Sequence, residues 1–213
     1  TVKASLSEKL LFLFLICLSI FAFTSFFLLK NKCLSVEKID IEKINFSKPE
    51  NIAIMNIECG DVVIELYPEI SPNSVIRFKT LINKGLYNGS AFYKVIENTL
   101  VQAGDLEYGN KEYLDYSKIG SGQSKLGTLK SELNNEYEFT KGSVGFARST
   151  EFNTEDSEFF ITLKEIPIYQ GEYTPLGKVI YGLDILEKIK TGNKTIYVLR
   201  PDFINYFKML NAN

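Results

Sequence analysis

The sequence predicts a mainly β domain, built as a closed antiparallel barrel with two α-helices, that follows one transmembrane helix. Two observations support this fold class. A 20-residue run without a charged side chain occupies residues 10–29. Beyond it, residues 51–213 alternate short β-rich runs with glycine turns, and only two segments carry helical punctuation. Because a parallel sheet needs a crossover helix between successive strands, this pattern favours an antiparallel barrel over a βαβ sheet.

The apolar run, Leu10 to Leu29, reads LLFLFLICLSIFAFTSFFLL. As an α-helix it is about 30 Å long, which matches the hydrocarbon core of a bilayer. A signal sequence has a shorter apolar core, of about 7–15 residues, and a small-residue cleavage site that this run lacks. We therefore expect an uncleaved single-pass membrane anchor, with a signal sequence as the alternative. Lysines flank both ends, but the short tail at residues 1–9 favours an extracytoplasmic, periplasm-like location for the rest of the chain.

A tether is expected between the anchor and the domain, at residues 30–50. This segment is rich in Lys, Glu and Ile, and its sequence IDIEKI predicts one short extended piece. Cys33 lies in it and could pair with Cys59 or be free, and the sequence leaves both alternatives open.

The domain, residues 51–213, begins with a predicted β-hairpin and an amphipathic helix. Gly60 separates two β-rich runs, and its freedom to adopt a positive φ suits a tight hairpin. The helix is predicted from Ser71 as N-cap, Pro72 as first helical residue and Gly85 as terminator. Its apolar residues share one face and are expected to pack on the sheet: Val75, Phe78 and Ile82.

Short strands follow, in the order AFYKVI, TLVQAGD, GSVGFAR, EFFITL and PLGKVIYG. A second helix is predicted over residues 183–190, ending at Gly192, and TIYVLR is predicted to form the last strand. The C-terminal DFINYFKML is expected to form one or two amphipathic turns, with three apolar residues directed inward: Phe203, Phe207 and Leu210.

The composition excludes several classes of function. The chain has no histidine, which excludes mechanisms that need an imidazole base or a Ser-His or Cys-His pair, and it excludes metal sites with histidine ligands. Its 24 basic and 26 acidic side chains give a net charge of −2, so it has no basic excess for a nucleic acid. We therefore expect no cofactor, no metal and no nucleic-acid partner.

Four motifs in order give the domain a family resemblance. They are FYKVI at residues 92–96, VQAGD at 101–105, NTEDSEFFI at 153–161 and GKV at 177–179. In this order and at this spacing they resemble the cyclophilin-type peptidyl-prolyl cis-trans isomerases, over residues 51 to about 199. The resemblance implies an eight-stranded antiparallel β-barrel capped by a helix at each end. It also implies catalysis of cis-trans isomerisation of X-Pro bonds in proline-containing polypeptide clients.

The resemblance implies two catalytic residues, Lys94 and Gln102. Lys94 occupies the position of the family arginine, which donates a hydrogen bond to the prolyl nitrogen. Lysine has one flexible ammonium where arginine has a planar fork of donors, so activity is expected to be reduced. Gln102 matches the glutamine that holds the substrate carbonyl and orients the arginine.

The same resemblance implies a substrate-binding groove. Phe160 is expected to form the floor of the proline pocket, with Leu100 in place of a methionine, and Ala147 to dock the substrate backbone. Arg148 replaces an asparagine and could supply a second donor. The remaining residues expected at the groove are Phe92, Ile168 at a position that is often tryptophan, and Tyr173 in place of a histidine. Two further departures are Thr99 for a pocket phenylalanine and Glu158 for a glutamine.

Two functions from different classes remain open. The first is a membrane-tethered prolyl isomerase that assists client folding. The alternative is a catalytically weak or inactive proline-peptide binding module or chaperone, because Lys94 and Thr99 weaken the donor and the pocket together. An insertion between Asp105 and Gly120 is longer than the resemblance requires and is expected near the rim of the groove, as a surface loop or as a selector of clients.

Overall fold

The computed structural model describes residues 5–30, 33–34, 36, 40–189 and 201–210. The chain divides into two compact units, residues 1–35 and 36–213. The first unit contains helix α1, Leu6–Lys30, as the apolar run predicts. Its segment Leu6–Phe26 is long and apolar enough to cross a membrane, a test that an N-terminal signal sequence also passes. The choice between anchor and signal sequence therefore stays a prediction.

Within its described residues, the second unit contains eight strands and two α-helices. The helices are α2, Pro72–Asn83, and the short α3, Leu183–Leu186. The strands are β1 (Ile52–Ile57), β2 (Gly60–Leu66), β3 (Lys94–Ile96), β4 (Leu100–Ala103), β5 (Ser143–Phe146), β6 (Phe159–Thr162), β7 (Pro175–Tyr181) and β8 (Tyr206–Met209). The predicted mainly β class and the first seven strand positions are thus confirmed.

All eight strands form one antiparallel sheet in the order β3-β4-β6-β5-β7-β2-β1-β8. β3 and β8 are its two edges, and within the described residues no ladder joins them. The chain beside them makes only the isolated bridge between Ala91 and Phe203. The expected closed barrel is therefore wrong, and the sheet is an open, curled half-barrel. The physical reason is that β3 has only three residues and pairs with β4 alone.

The hairpin and α2 form where the sequence predicts them. Ile57 pairs with Gly60 at the end of the β1–β2 ladder, and Gly60 has a φ of +142°. Ser71 precedes α2, but its hydroxyl donates to the Pro175 carbonyl instead of capping the helix. The predicted apolar face of α2 is buried in the core, where Phe78 packs against the ring of Phe146.

Two local predictions are wrong. The C-terminal segment forms strand β8 instead of amphipathic turns, because it pairs with β1. Its burial accordingly alternates: Phe207 is buried whereas Tyr206 and Lys208 are exposed. In the tether, the expected extended piece contains the 3₁₀ turn Ile41–Lys43. The predicted strand TIYVLR and the predicted end of the second helix lie outside the described residues.

Candidate functional site

A cleft of about 380 Å³ opens on the sheet beside β3 and β4. The two residues predicted to be catalytic, Lys94 and Gln102, both line it. Ala147 and Arg148, which follow β5, line it as well. The structure therefore brings together four of the residues that sequence analysis selected.

Lys94 and Gln102 face each other in the β3–β4 ladder. Directly opposed residues of an antiparallel pair have Cβ atoms about 4.5–5.5 Å apart. Within the part of the chain that the structure describes, no group forms a hydrogen bond or ion pair with the Lys94 ammonium. The ammonium is thus a hydrogen-bond donor available to a ligand in the cleft.

Gln102 is buried, and its side-chain nitrogen donates two hydrogen bonds. One goes to the Tyr93 hydroxyl at 2.7 Å and the other to Glu158 Oε2 at 2.8 Å. The Tyr93 hydroxyl in turn donates to Glu158 Oε2. Because both hydrogens of the amide are used, its carbonyl oxygen is the end left to accept from a ligand or from Lys94. Tyr93 was not among the residues predicted for the site.

Glu158 is one of two acidic residues that line the cleft, the other being Asp156, which pairs with Arg77. Burial raises the pKa of Glu158 from 4.5 to about 7. The hydrogen bonds from Tyr93 and Gln102 and the positive charge of Lys94 act to lower this pKa, whereas the negative charge of Asp105 acts to raise it. The Glu158 carboxyl therefore titrates near neutral pH. The only sequence signal for it is the departure from glutamine at this position.

An apolar cluster adjoins the cleft and holds the predicted pocket residues. Leu100, Ala147 and Phe160 are buried together in it. Ala147 also lines the cleft, so the polar and apolar parts are continuous. The rings of Tyr169 and Tyr173 lie 5.3 Å and 5.2 Å from the Phe160 ring and cover it, leaving Phe160 only 2% exposed. The cluster also contains two residues that sequence analysis did not select: Phe139 and Ile166.

Arg148 is held by the protein itself. Its guanidinium lies over the rings of Phe152 and Tyr173, at 4.2 Å and 4.9 Å from their centroids. It also donates to backbone carbonyls at residues 149, 150 and 172 and pairs with the Glu172 carboxylate at 3.4 Å. Arg148 therefore connects two loops at the rim, and these contacts disfavour it as a second donor to substrate.

The other two predicted groove residues lie elsewhere. Phe92 is completely buried in the main core with residues such as Val95 and Val101, and it is not part of the cleft cluster. Ile168 is 78% exposed on the 3₁₀ turn Pro167–Tyr169. We therefore leave Phe92 out of the proposed site.

The turn that directly follows the insertion, residues 120–123, forms one wall of the cleft. The buried Asp105 carboxylate accepts four backbone N–H groups, from Glu107, Tyr108, Gly120 and Gly122, at 2.6–3.1 Å. This closes the insertion into a loop whose end, at Gly120, contacts Tyr93: a Cβ there would lie 3.1 Å from the ring. Among the described residues, no group of three or more Cys, Asp or Glu side chains could hold a metal ion.

Comparison with known proteins gives one consistent family. The family model described as cyclophilin type peptidyl-prolyl cis-trans isomerase/CLD matches residues 52–205. A probable peptidyl-prolyl cis-trans isomerase of Brucella suis biovar 1 (strain 1330) is 38% identical over 155 residues, which are 72% of this chain and 79% of the relative. A peptidyl-prolyl cis-trans isomerase of Acinetobacter baylyi is 29% identical over 148 residues, 67% of this chain and 73% of that protein.

Solved structures agree with this family. A Cryptosporidium parvum cyclophilin type peptidyl-prolyl cis-trans isomerase, crystallised in the presence of the dipeptide Ala-Pro, has a TM-score of 0.65 and 25% identity, and the match covers 76% of this chain and 99% of that one. A cyclophilin from Hirschia baltica matches with a TM-score of 0.63 at 22% identity, over 76% of this chain and 74% of that chain, which is a likeness of fold.

Proposed function

The chain belongs to the cyclophilin-type peptidyl-prolyl cis-trans isomerases and is therefore an isomerase. We propose that it acts on X-Pro bonds of protein clients, and that it does so in the cleft beside Lys94. We further propose that α1 tethers it to a membrane and that its clients are unfolded or newly exported chains. The length and apolar composition of α1 support the tether.

The reaction requires no acid, base or nucleophile. Rotation about an X-Pro amide faces a barrier of about 18–20 kcal/mol because the C–N bond has partial double-bond character. In the twisted transition state that conjugation is lost, and the nitrogen becomes a better hydrogen-bond acceptor. A donor aimed at the nitrogen binds the twisted state more strongly than either planar state, which lowers the barrier.

We propose the following roles from the family resemblance, and the geometry of the cleft supports them. The Lys94 ammonium donates to the prolyl nitrogen, and the Gln102 amide orients the peptide beside it. Phe160, Leu100 and Tyr173 hold the proline ring, and the backbone of Ala147 docks the extended peptide. Because Tyr173 and Tyr169 cover Phe160 in this structure, entry of a proline ring requires these tyrosine side chains to move.

One observation carries the proposal: Lys94 lines the cleft, opposite Gln102, and its ammonium has no ion-pair or hydrogen-bond partner among the described residues. This placement supports Lys94 as the donor that we propose for the reaction.

The experiment measures isomerisation of a short X-Pro peptide by the full chain in detergent micelles. Lys94→Ala is expected to lower kcat/KM by about 10- to 100-fold, the effect of losing roughly 1.4–2.8 kcal/mol of transition-state stabilisation. Lys94→Arg is expected to keep or raise it, since arginine is the better organised donor. Lys84→Ala removes an exposed lysine at the end of α2 and serves as the control that leaves the rate unchanged.

Two results would contradict the proposal. If wild type and Lys94→Ala both match the uncatalysed rate while the peptide still binds, the protein is a proline-peptide binding module. If both are equally active, Lys94 is not the donor.

A separate experiment tests the tether. Membranes from expressing cells are washed with alkaline carbonate, and the mass of the retained chain is measured. A full-length chain in the pellet supports an anchor, whereas a shortened chain in the supernatant contradicts it. Protease added to sealed vesicles then reports the side on which the domain lies.

A further inference from the structure

We propose that Glu158 is a positioning residue for the isomerisation: its charged carboxylate holds Gln102 and Tyr93 and attracts the Lys94 ammonium, so that the cleft is fully active only when Glu158 is ionised. This inference rests on the proposed function of the cleft and assigns it a pH dependence.

The position of Glu158 lets one carboxylate connect three parts of the sheet. It lies directly before β6, whose residue Phe160 pairs with Gln102 of β4. Its Oε2 atom accepts from the Gln102 amide and from the Tyr93 hydroxyl next to β3. Its backbone carbonyl accepts the Ala147 N–H at 2.8 Å. Glu158 is therefore bonded to every part of the proposed polar site except Lys94.

These hydrogen bonds determine which end of the Gln102 amide is available. With the NH₂ group held by Glu158 and Tyr93, the carbonyl oxygen is left for a donor. Lys94, directly opposite in the ladder, has only a flexible ammonium, which forms no hydrogen bond or ion pair among the described residues. The negative charge of Glu158 and the oriented amide oxygen of Gln102 therefore fix the position of the Lys94 ammonium, which a flexible lysine side chain does not fix by itself.

Charged and titratable groups surround Glu158 on each neighbouring element. From β3 and the residue before it, Lys94 attracts the carboxylate and Tyr93 donates to it. From the end of β4, Asp105 repels it, and after α2 the buried Tyr87 has its own pKa raised in part by Glu158. Desolvation is the largest effect, and the pKa of Glu158 rises to about 7.

Protonation changes the cleft in two ways. A neutral carboxyl no longer attracts Lys94, and it carries an O–H donor where the carboxylate had only acceptors. The negative charge that draws the Lys94 ammonium toward Glu158 is then absent. Activity is therefore expected to fall as the pH drops through about 7.

The experiment compares the pH dependence of kcat/KM for the full chain in detergent, between pH 5.5 and 8.5. Wild-type activity is expected to rise about three- to tenfold with a midpoint near 7, as a modest change in transition-state stabilisation predicts. Glu158→Gln keeps the size of the side chain but cannot ionise, so its activity is expected to be low and independent of pH. Glu187→Gln, at a surface carboxylate paired with Lys141, is the matched control and keeps the wild-type profile.

A second measurement does not require turnover. The side-chain NH₂ resonances of Gln102 are followed by NMR across the same pH range. They are expected to shift with a midpoint near 7 in wild type and Glu187→Gln, and to stay constant in Glu158→Gln.

The outcomes separate the two proposals. A wild-type chain that lacks activity at every pH contradicts the proposed function, and the Gln102 titration then decides the role of Glu158. An active wild type whose pH profile is shared by Glu158→Gln overturns the positioning role. Gln102 resonances that do not titrate in wild type, or that titrate equally in Glu158→Gln, overturn it as well.

Discussion

Gly145 pairs directly with Phe160 in the β5–β6 ladder, and the Phe160 ring occupies the space that a side chain at position 145 would need. A Cβ at this glycine would lie 2.5 Å from Phe160 Cζ and 2.9 Å from Phe139 Cε1. Glycine is required here because the floor of the apolar cluster lies against the backbone of the neighbouring strand. The glycine thus determines the depth at which Phe160 sits beneath Tyr169 and Tyr173.

Gly145→Ala is expected to displace the Phe160 ring and weaken binding of proline peptides. Overpacking a well-filled core costs about 1–3 kcal/mol, and here the strain falls on the proposed proline pocket. Titration of an X-Pro peptide should show a higher Kd, and thermal unfolding a lower Tm. Unchanged affinity and stability would show that the ring can move without consequence and that it is not the floor of the pocket.

Arg77→Ala is expected to destabilise the fold strongly. Arg77 of α2 lies 2.9 Å from the Asp156 carboxylate, with only 12% and 10% of the two side chains exposed. It also donates to the Gly127 carbonyl at 2.8 Å. Removing one partner of a buried pair leaves an uncompensated charge, which costs about 3–5 kcal/mol. Urea unfolding, followed by the near-ultraviolet circular dichroism of the tyrosines, measures the loss.

Lys141→Ala is the control for this prediction. Its pair with Glu187 has 51% and 42% of the two side chains exposed, so the variant should cost less than about 1 kcal/mol. Equal losses from the two variants would contradict the distinction between a buried and a solvated ion pair.

Glu158→Gln is expected to stabilise the protein above pH 7 while reducing its activity. The folded-state pKa of Glu158 is raised to about 7 from its ordinary value of 4.5, so the folded chain binds this proton more tightly than the unfolded chain. The contribution of this proton to the free energy of unfolding is fully present below pH 4.5 and is lost as the pH rises through about 7. At pH 8 the buried charge of the carboxylate lowers the unfolding free energy by about 1–3 kcal/mol, and the neutral glutamine does not have this cost.

The measurement is the unfolding free energy of wild type and Glu158→Gln at pH 5 and pH 8. The variant's advantage should be present at pH 8 and smaller at pH 5. Glu187→Gln should show no such difference between the two values. A variant that is less stable than wild type at pH 8 would mean that the hydrogen bonds of the carboxylate outweigh its desolvation.

Local features of the fold could be predicted from the sequence because short-range physics determines them. Gly60 begins β2 with a positive φ at the hairpin turn, and Pro72 begins α2 directly after Ser71. Each feature is determined by the residues next to it. The C-terminal segment shows where this reasoning fails. Phe203, Phe207 and Leu210 suit a helical face, but pairing with β1 decides the conformation, and that partner is more than 140 residues away.

The sequence by itself determined that an apolar helix precedes a mainly β domain, since composition and periodicity record this directly, and its resemblance to a known family implied the site residues Lys94, Gln102, Ala147 and Phe160. Only the tertiary structure decided that the sheet stays open, that two tyrosines cover Phe160, and that Glu158 meets Tyr93 from 65 residues away. The reason is physical: the ionisation of a carboxyl depends on what chain folding places around it, and no local pattern carries that information.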